Sequence, residues 1–234
     1  MISNELDIGP YARRLQEARR VQIPGFLQEA SAQRLRHCLQ SEVPWGVGQR
    51  ADTSPLISLE RGSGLDPMRL DAERMRESWR RARNGFEFLF DRYRMIEARR
   101  DGKDPGLVLH VVVDFLNSPE FIEFAKELTG DTKIRMVSAI AARYRSGHFL
   151  RLHDDKAHDE DRAYAYVINL SRNWQADWGG LLMFQGKDGA VEETFVPRWN
   201  SLSLFKVPQP HIVSQVTPWA LDARYSITGW FRRD

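Results

Sequence analysis

The sequence predicts an α+β fold, with an antiparallel barrel or sandwich supported by helices. Three observations carry this expectation. After Gly130 the chain breaks into short β-rich runs separated by Gly, Pro, Asn and Asp clusters. Before Gly130, apolar residues recur at helical spacing in several segments. No Pro/Gly/Ser-rich linker lies near Gly130, so residues 1–234 are expected to form a single domain. In that division 1–132 is mainly helical support with some strands, and 133–234 is the β-rich core.

The elements follow in chain order. "RRVQIPGFLQ" (Arg19–Gln28) reads as a short strand ended by Pro24-Gly25. In "EASAQRLRHCLQSE", Ala30, Leu35, Cys38 and Leu39 fall near one helical face, with Ser31 as a candidate cap and Pro44 as the stop. "PMRLDAERMRESWRRARN" is a second helix closed by Asn84-Gly85. "GFEFLFDRYRM" alternates Phe86, Phe88 and Phe90 with Glu87, Leu89 and Asp91, the pattern of a half-buried strand. "PGLVLHVVVDFLN" fits a buried helix and a strand equally well. "SPEFIEFAKELTG" is a helix with Ser118 as N-cap, Pro119 in its first position, Glu120 in its first turn and Gly130 at its end. The β-runs then follow as "KIRMVSAIAARYR", "AYAYVINLS", "GLLMFQ", "EETFVP", "SLSLFKV", "HIVSQV" and "RYSITGWFRR".

Composition narrows the function classes. Hydrophobic residues make up 42% of the chain, enough for a sizeable core. A formal charge of +2 gives no argument for nucleic acid, and the basic "WRRARN" stretch reads as a solvated helix face. Cys38 is the only cysteine, which excludes a disulfide framework and favours a reducing compartment. No signal peptide and no apolar stretch of ~18 residues is visible. The expectation is a soluble, cytoplasmic protein without a membrane partner.

"LRLHDDKAHDED" (Leu150–Asp161) poses the functional question. If "FLRLHDD" is extended, His153 and Asp155 share one face and Asp154 points away. These two residues supply an imidazole and a carboxylate for a metal. His211, in "VPQPHIVSQV", is the best third ligand, because a barrel makes neighbours of distant strands. Two His and one carboxylate form the facial triad of non-haem Fe(II) oxygenases, leaving positions open for a 2-oxoacid and O₂. A second carboxylate at the far end of the oxoacid needs a cation in a partly dry pocket. "RYSITGWF" supplies Arg224, with Ser226 and Thr228 on the same face of a strand.

The segments "RYRSGHFLRLHDD", "YVINLSRNWQADWGGLLMF", "PQPHIVSQV" and "RYSITGWF" resemble the Fe(II)/2-oxoglutarate-dependent dioxygenases, in their prolyl-hydroxylase branch. The resemblance covers about Lys133–Arg232, and "VQIPGFLQEASAQRLRHCLQ" is similar to the start of bacterial members. It implies a double-stranded β-helix, or jelly roll, as the core. It assigns iron to His153, Asp155 and His211, and the far carboxylate of 2-oxoglutarate to Arg224, with Ser226 or Thr228 beside it. Tyr144 stands for the "Y-x-x-G" tyrosine that lines the cosubstrate pocket or its entrance. Leu182, after Gly179-Gly180, would pack on the oxoacid chain, and Trp230 would border the substrate side. Asn169 falls where several members have a tyrosine that touches 2-oxoglutarate, a departure from the pattern. The carboxylate at Asp155 favours hydroxylation over halogenation.

The activity implied is hydroxylation of an unactivated C–H, foremost of a prolyl residue in a protein or peptide. The cofactors implied are Fe(II), with 2-oxoglutarate and O₂ as cosubstrates and ascorbate as a candidate accessory. The alternatives are a hydroxylase of a free amino acid or small metabolite, and a non-catalytic β-barrel that senses metal or 2-oxoglutarate or is an ordinary metal-binding cupin. The other candidates have plainer readings. His158 belongs to a solvated loop or a flap, His110 to the core, and His148 to the lining of the site. His37 and Cys38 are helix neighbours that do not face each other. Trp174 and Trp178 pack the barrel rim.

Overall fold

The computed structural model describes residues 1–49 and 67–234. Twelve antiparallel strands form its sheet. In chain order these are β1 (Arg20–Pro24), β2 (Gly46–Gln49), β3 (Phe88–Arg94), β4 (Met136–Val137), β5 (Ile140–Tyr144), β6 (Phe149–His153), β7 (Arg162–Asn169), β8 (Leu182–Gln185), β9 (Val191–Phe195), β10 (Ser201–Lys206), β11 (His211–Val213) and β12 (Arg224–Arg232). The helices are α1 (Gly9–Ala18), α2 (Glu29–Ser41), α3 (Pro67–Ala82), α4 (Met95–Arg100), α5 (Leu109–Leu116) and α6 (Pro119–Thr129). Among the described residues, no helix is long and apolar enough to cross a membrane.

The strand order is β1-β10-β7-β12-β5-β3-β6-β11-β8-β9, with β2 on β3 and β4 on β12. β3 pairs with both β5 and β6, so it spans the bend where the chain leaves one side of the sheet for the other. Residues of β12 and of the β6–β11–β8 group line one cavity, so the sheet curls into a barrel around it. The first half of the chain therefore contributes strands β1, β2 and β3 to the barrel as well as helices.

The helices cover the outside. α5 settles the ambiguous apolar run as a helix: Leu109, Val112, Val113 and Leu116 are buried at i, i+3, i+4 and i+7, one continuous stripe. α6 has the expected caps. Ser118 Oγ accepts from the Phe121 amide at 3.3 Å, and Gly130 closes the helix with φ 70° while its N–H donates to the Lys126 carbonyl. α2 buries Ala32, Leu35, Cys38 and Leu39, yet it starts at Glu29 behind Gln28 with no side-chain cap, so Ser31 is an interior residue. These faces and one side of β1, β10, β7, β12 and β5 form the main core.

β3 corrects the expectation of one wet face. Phe90 is buried on one side, and Glu87, Leu89 and Asp91 are each buried to 3% exposure or less on the other. The acids survive there because arginines meet them: Arg81 pairs with Glu87, and Arg143 and Arg145 each donate to Asp91 at 2.8 Å. α1 and α4 were not legible beforehand. α1 buries only Leu15, too little to leave a clear apolar stripe.

Candidate active site

His153 ends β6 and His211 begins β11, and the two are direct partners in the antiparallel register. Their ring centres are 4.1 Å apart. Asp155 lies past the end of β6, so its side chain does not reach His153 by strand alternation. Its backbone takes φ 63°, a left-handed conformation that Asp tolerates better than most residues. The turn carries the carboxylate back, with Oδ1 3.3 Å from His153 Nε2 and Oδ2 3.6 Å from His211 Nε2.

The other nitrogen of each ring is committed. His153 Nδ1 lies 2.9 Å from the Arg151 carbonyl, and His211 Nδ1 lies 2.7 Å from the Gln209 carbonyl. A carbonyl only accepts, so Nδ1 carries the proton and the Nε2 lone pairs face the shared space. The three ligand atoms all lie within 4.8 Å of one another. Donors held ~2.1 Å from one ion stand about 3 Å apart, so this donor set fits a single divalent cation.

The charges agree with that fit. Burial would raise the Asp155 carboxyl, but His153 and His211 outweigh it and hold it below the usual range, with the Trp230 indole adding to the pull. His211 is pushed down to about 4 by burial and by the neighbouring His153. His153 loses to burial but gains more from Asp155, so it is raised.

A second feature shares this cavity of about 450 Å³. Arg224 is 2% exposed, and its Nε and Nη1 have no hydrogen-bond partner among the described residues. Its guanidinium carbon sits 5.2 Å from the centre of the Tyr144 ring, and Tyr144 stacks on Phe90 at 4.9 Å. Burial holds the Tyr144 hydroxyl protonated, and burial lowers the pKa of Arg224. A buried cation without an anion is costly, which marks the place where an anionic group belongs.

The remaining expected residues divide. Tyr144, Leu182, Ser226, Thr228 and Trp230 line the cavity with Arg224. Thr228 Oγ1 donates to the Tyr166 carbonyl at 2.6 Å, so it retains only acceptor capacity. Asn169 is not among the lining residues; its amide donates to Ser201 Oγ and Ser203 Oγ at 3.2 and 3.1 Å. His148 is buried without lining the cavity. His158 is exposed, His110 bonds the Lys103 and Asp104 carbonyls, and the two tryptophans pack edge to face. Cys38 is fully buried, and burial with Glu42 nearby pushes its thiol up to about 11, which leaves no nucleophile there.

Sequence reasoning missed Phe86 and the Phe88, Phe90 and Arg92 face of β3 as part of the site. The alternation was visible, but not what it faced. The Gly179-Gly180 turn is also structural: a Cβ on Gly179 would lie 1.9 Å from the Gln215 carbonyl oxygen, and one on Gly180 would press on Val216, Trp174 and Arg224. Glycine there lets the β8 turn approach the Arg224 stem.

Residues 139–232 match the model of the 2OG-Fe(II) oxygenase superfamily. That stretch of the chain is similar to this superfamily. The match spans β5 to β12 and includes all three metal-type ligands and Arg224. Over 121 residues, 47% of its length, this chain is 32% identical to a Xenopus laevis protein named prolyl 3-hydroxylase OGFOD1. The matched part is only 23% of that relative's length. Solved structures share the fold. A Burkholderia pseudomallei oxidoreductase of the 2OG-Fe(II) oxygenase family aligns with TM-score 0.64 and 16% identity over 100% of this chain and 94% of its own. A Trichoplax adhaerens prolyl hydroxylase, solved with a hypoxia inducible factor peptide fragment, aligns with TM-score 0.62 and 19% identity over 97% of this chain and 89% of its own. The jelly-roll core expected from the sequence is therefore present.

Proposed function

We propose that this chain is an Fe(II)- and 2-oxoglutarate-dependent hydroxylase acting on prolyl residues of a protein or peptide. One observation carries the reading. Three converging ligand atoms and a buried guanidinium without an anion occupy the same cavity. His153 Nε2, His211 Nε2 and an Asp155 oxygen would hold the iron. The chemistry the iron supplies when bound is coupled oxidation: one oxygen atom of O₂ enters 2-oxoglutarate as it becomes succinate and CO₂, and the other becomes a hydroxyl on a substrate C–H.

The chain's own residues bind and orient. Arg224 would receive the far carboxylate of 2-oxoglutarate, and the protonated Tyr144 hydroxyl beside it is a second donor. Ser226 is the better hydroxyl partner, since the Thr228 hydroxyl already donates its hydrogen bond to the Tyr166 carbonyl. Leu182, Phe90 and Val213 provide apolar cover that excludes water from the bound acid. The Arg151 and Gln209 carbonyls hold the two imidazoles in one tautomer and orientation.

The prolyl assignment draws on the name of the 32% identical relative. A chain-like substrate is supported by the exposed residues among the cavity lining, Phe86, Asp154 and Lys156. A cytoplasmic setting and the absence of a disulfide framework are part of the same reading. The test is incubation with Fe(II), 2-oxoglutarate and a panel of proline-containing peptides and free amino acids. Succinate formed together with a peptide heavier by one oxygen supports the proposal. Oxidation of free amino acids alone replaces the prolyl substrate, and binding without succinate replaces catalysis with sensing.

A further inference from the structure

Arg92 lies on the same face of β3 as Phe88 and Phe90, and it lines the cavity with them and with Phe86, which precedes the strand. It is half-buried and makes no hydrogen bond or ion pair among the described residues. Its stem passes over β2, where a Cβ on Gly48 would stand 3.0 Å from Arg92 Cδ. In register, Arg92 is opposite Ala142, and Ala142 is opposite Ser226. The small Ala142 leaves room for a long side chain on that row. Arg224 pairs with Tyr144, one same-face step further along. One such step is about 7 Å and two strand spacings are about 10 Å, so the two arginine backbones stand ~12 Å apart.

The other charges of the lining differ. Arg162 donates to Glu160 at 2.6 Å and lies 3.6 Å from the Trp230 ring centre. Asp154 and Lys156 are exposed neighbours of opposite charge. Asp155 faces His153 and His211. Among the described residues, Arg92 and Arg224 are thus the lining arginines that no carboxylate bonds. In the proposed function, 2-oxoglutarate has one carboxylate for the metal and one for Arg224. None is left for Arg92.

We propose that Arg92 binds a carboxylate of the substrate itself, so that the site selects peptides with an acidic residue beside the proline to be oxidised. This inference rests on the oxygenase reading above. Phe86 and Phe88 would receive the apolar ring, and Arg92, further along the same face, would meet the acid. A guanidinium grips a carboxylate through two parallel N–H bonds, and the surrounding apolar wall strengthens that pairing. Burial, with Arg94 nearby, outweighs the pull of Glu97 and lowers the pKa of Arg92.

The experiment uses fluorescein-labelled peptides with one proline, carrying Glu or Gln at each of the two positions on either side. Binding to the Mn(II)- and 2-oxoglutarate-loaded protein is read by anisotropy under anaerobic conditions, so no turnover occurs. Wild type is expected to bind at least one Glu peptide tenfold or more tighter than its Gln twin. Arg92→Met should reduce that ratio to within twofold, and Arg92→Lys should keep part of it, which separates lost charge from lost fold. The affinity for 2-oxoglutarate is measured separately on each protein. Equal binding of the twins by wild type, no binding of either, or a preference that survives in Arg92→Met overturns the proposal. So does a tenfold loss of 2-oxoglutarate affinity in Arg92→Met, which would assign Arg92 to the cosubstrate. If wild type fails to bind 2-oxoglutarate at all, the oxygenase reading falls, and this proposal falls with it.

Discussion

His153 and His211 stand opposite each other across the β6–β11 ladder, and each ring bonds the carbonyl two residues before it, Arg151 for one and Gln209 for the other. The arrangement leaves both Nε2 atoms facing Asp155. Prediction: the protein binds one Fe(II) or Mn(II) per chain, and Asp155→Ala and His211→Ala lose it. At a hundredfold excess of metal over Kd, binding contributes about 2.7 kcal/mol. The thermal midpoint should then rise by about 5–10 °C in wild type and stay unchanged in the variants. Equal rises in all three proteins would remove the ligand assignment.

Arg224 makes a two-sided prediction because it is buried without an anion. Arg224→Met should weaken 2-oxoglutarate binding by about 2–5 kcal/mol, the cost of losing one partner of a buried charge pair. Without the cosubstrate, the same variant should be as stable as wild type or more so by about 1–3 kcal/mol, since it removes a desolvated charge. Calorimetric titration and urea unfolding read the two effects. A variant that is less stable and binds 2-oxoglutarate normally would make Arg224 a structural residue.

His148 gives a pH dependence. Burial, with Arg145 nearby, outweighs the pull of Asp91 and pushes the imidazole down to about 4. In the unfolded chain it titrates near 6.5. Its folded pKa is below its unfolded one, so protons bind preferentially to the unfolded state as pH falls. The stability that it preserves above pH ~6.5 is lost progressively down to about pH 4, by roughly 3 kcal/mol in all. Unfolding of wild type and His148→Gln between pH 7 and 4.5 should show a shallower slope for the variant. Parallel slopes would mean that His148 is protonated inside the fold.

Gly179 has φ 70°, and any Cβ there would lie 1.9 Å from the Gln215 carbonyl oxygen. Gly179→Ala should cost at least ~2 kcal/mol, through backbone strain and a forced shift of the turn. A midpoint within one degree or so of wild type would show that the turn yields at no cost.

The convergence of His153, Asp155 and His211 and the placing of Arg224 in the same cavity were legible from residue type, β-context and order along the chain. The route by which they meet was less legible. Asp155 reaches His153 through a left-handed turn rather than along a strand, a backbone choice that "HDD" does not advertise. The capping residues of α6 were readable because they act within one turn, whereas Gln28 starts α2 with no cap to read. β3 was visible as alternation, but both of its faces are buried, and only tertiary contacts show that Glu87 and Asp91 meet arginines while Phe88 and Arg92 meet the cavity. Asn169 was placed at the cosubstrate by position alone; the Ser201 and Ser203 hydroxyls that occupy its amide come from a strand more than 30 residues on.

The most direct test of the account is succinate release from 2-oxoglutarate in the presence of Fe(II), O₂ and a substrate peptide, compared between wild type and Asp155→Ala. The account predicts peptide-stimulated succinate from wild type, a peptide heavier by one oxygen in matching amount, and neither product from the variant. Undiminished succinate from Asp155→Ala, or a wild type that binds metal and 2-oxoglutarate yet forms no succinate with any substrate offered, would contradict it.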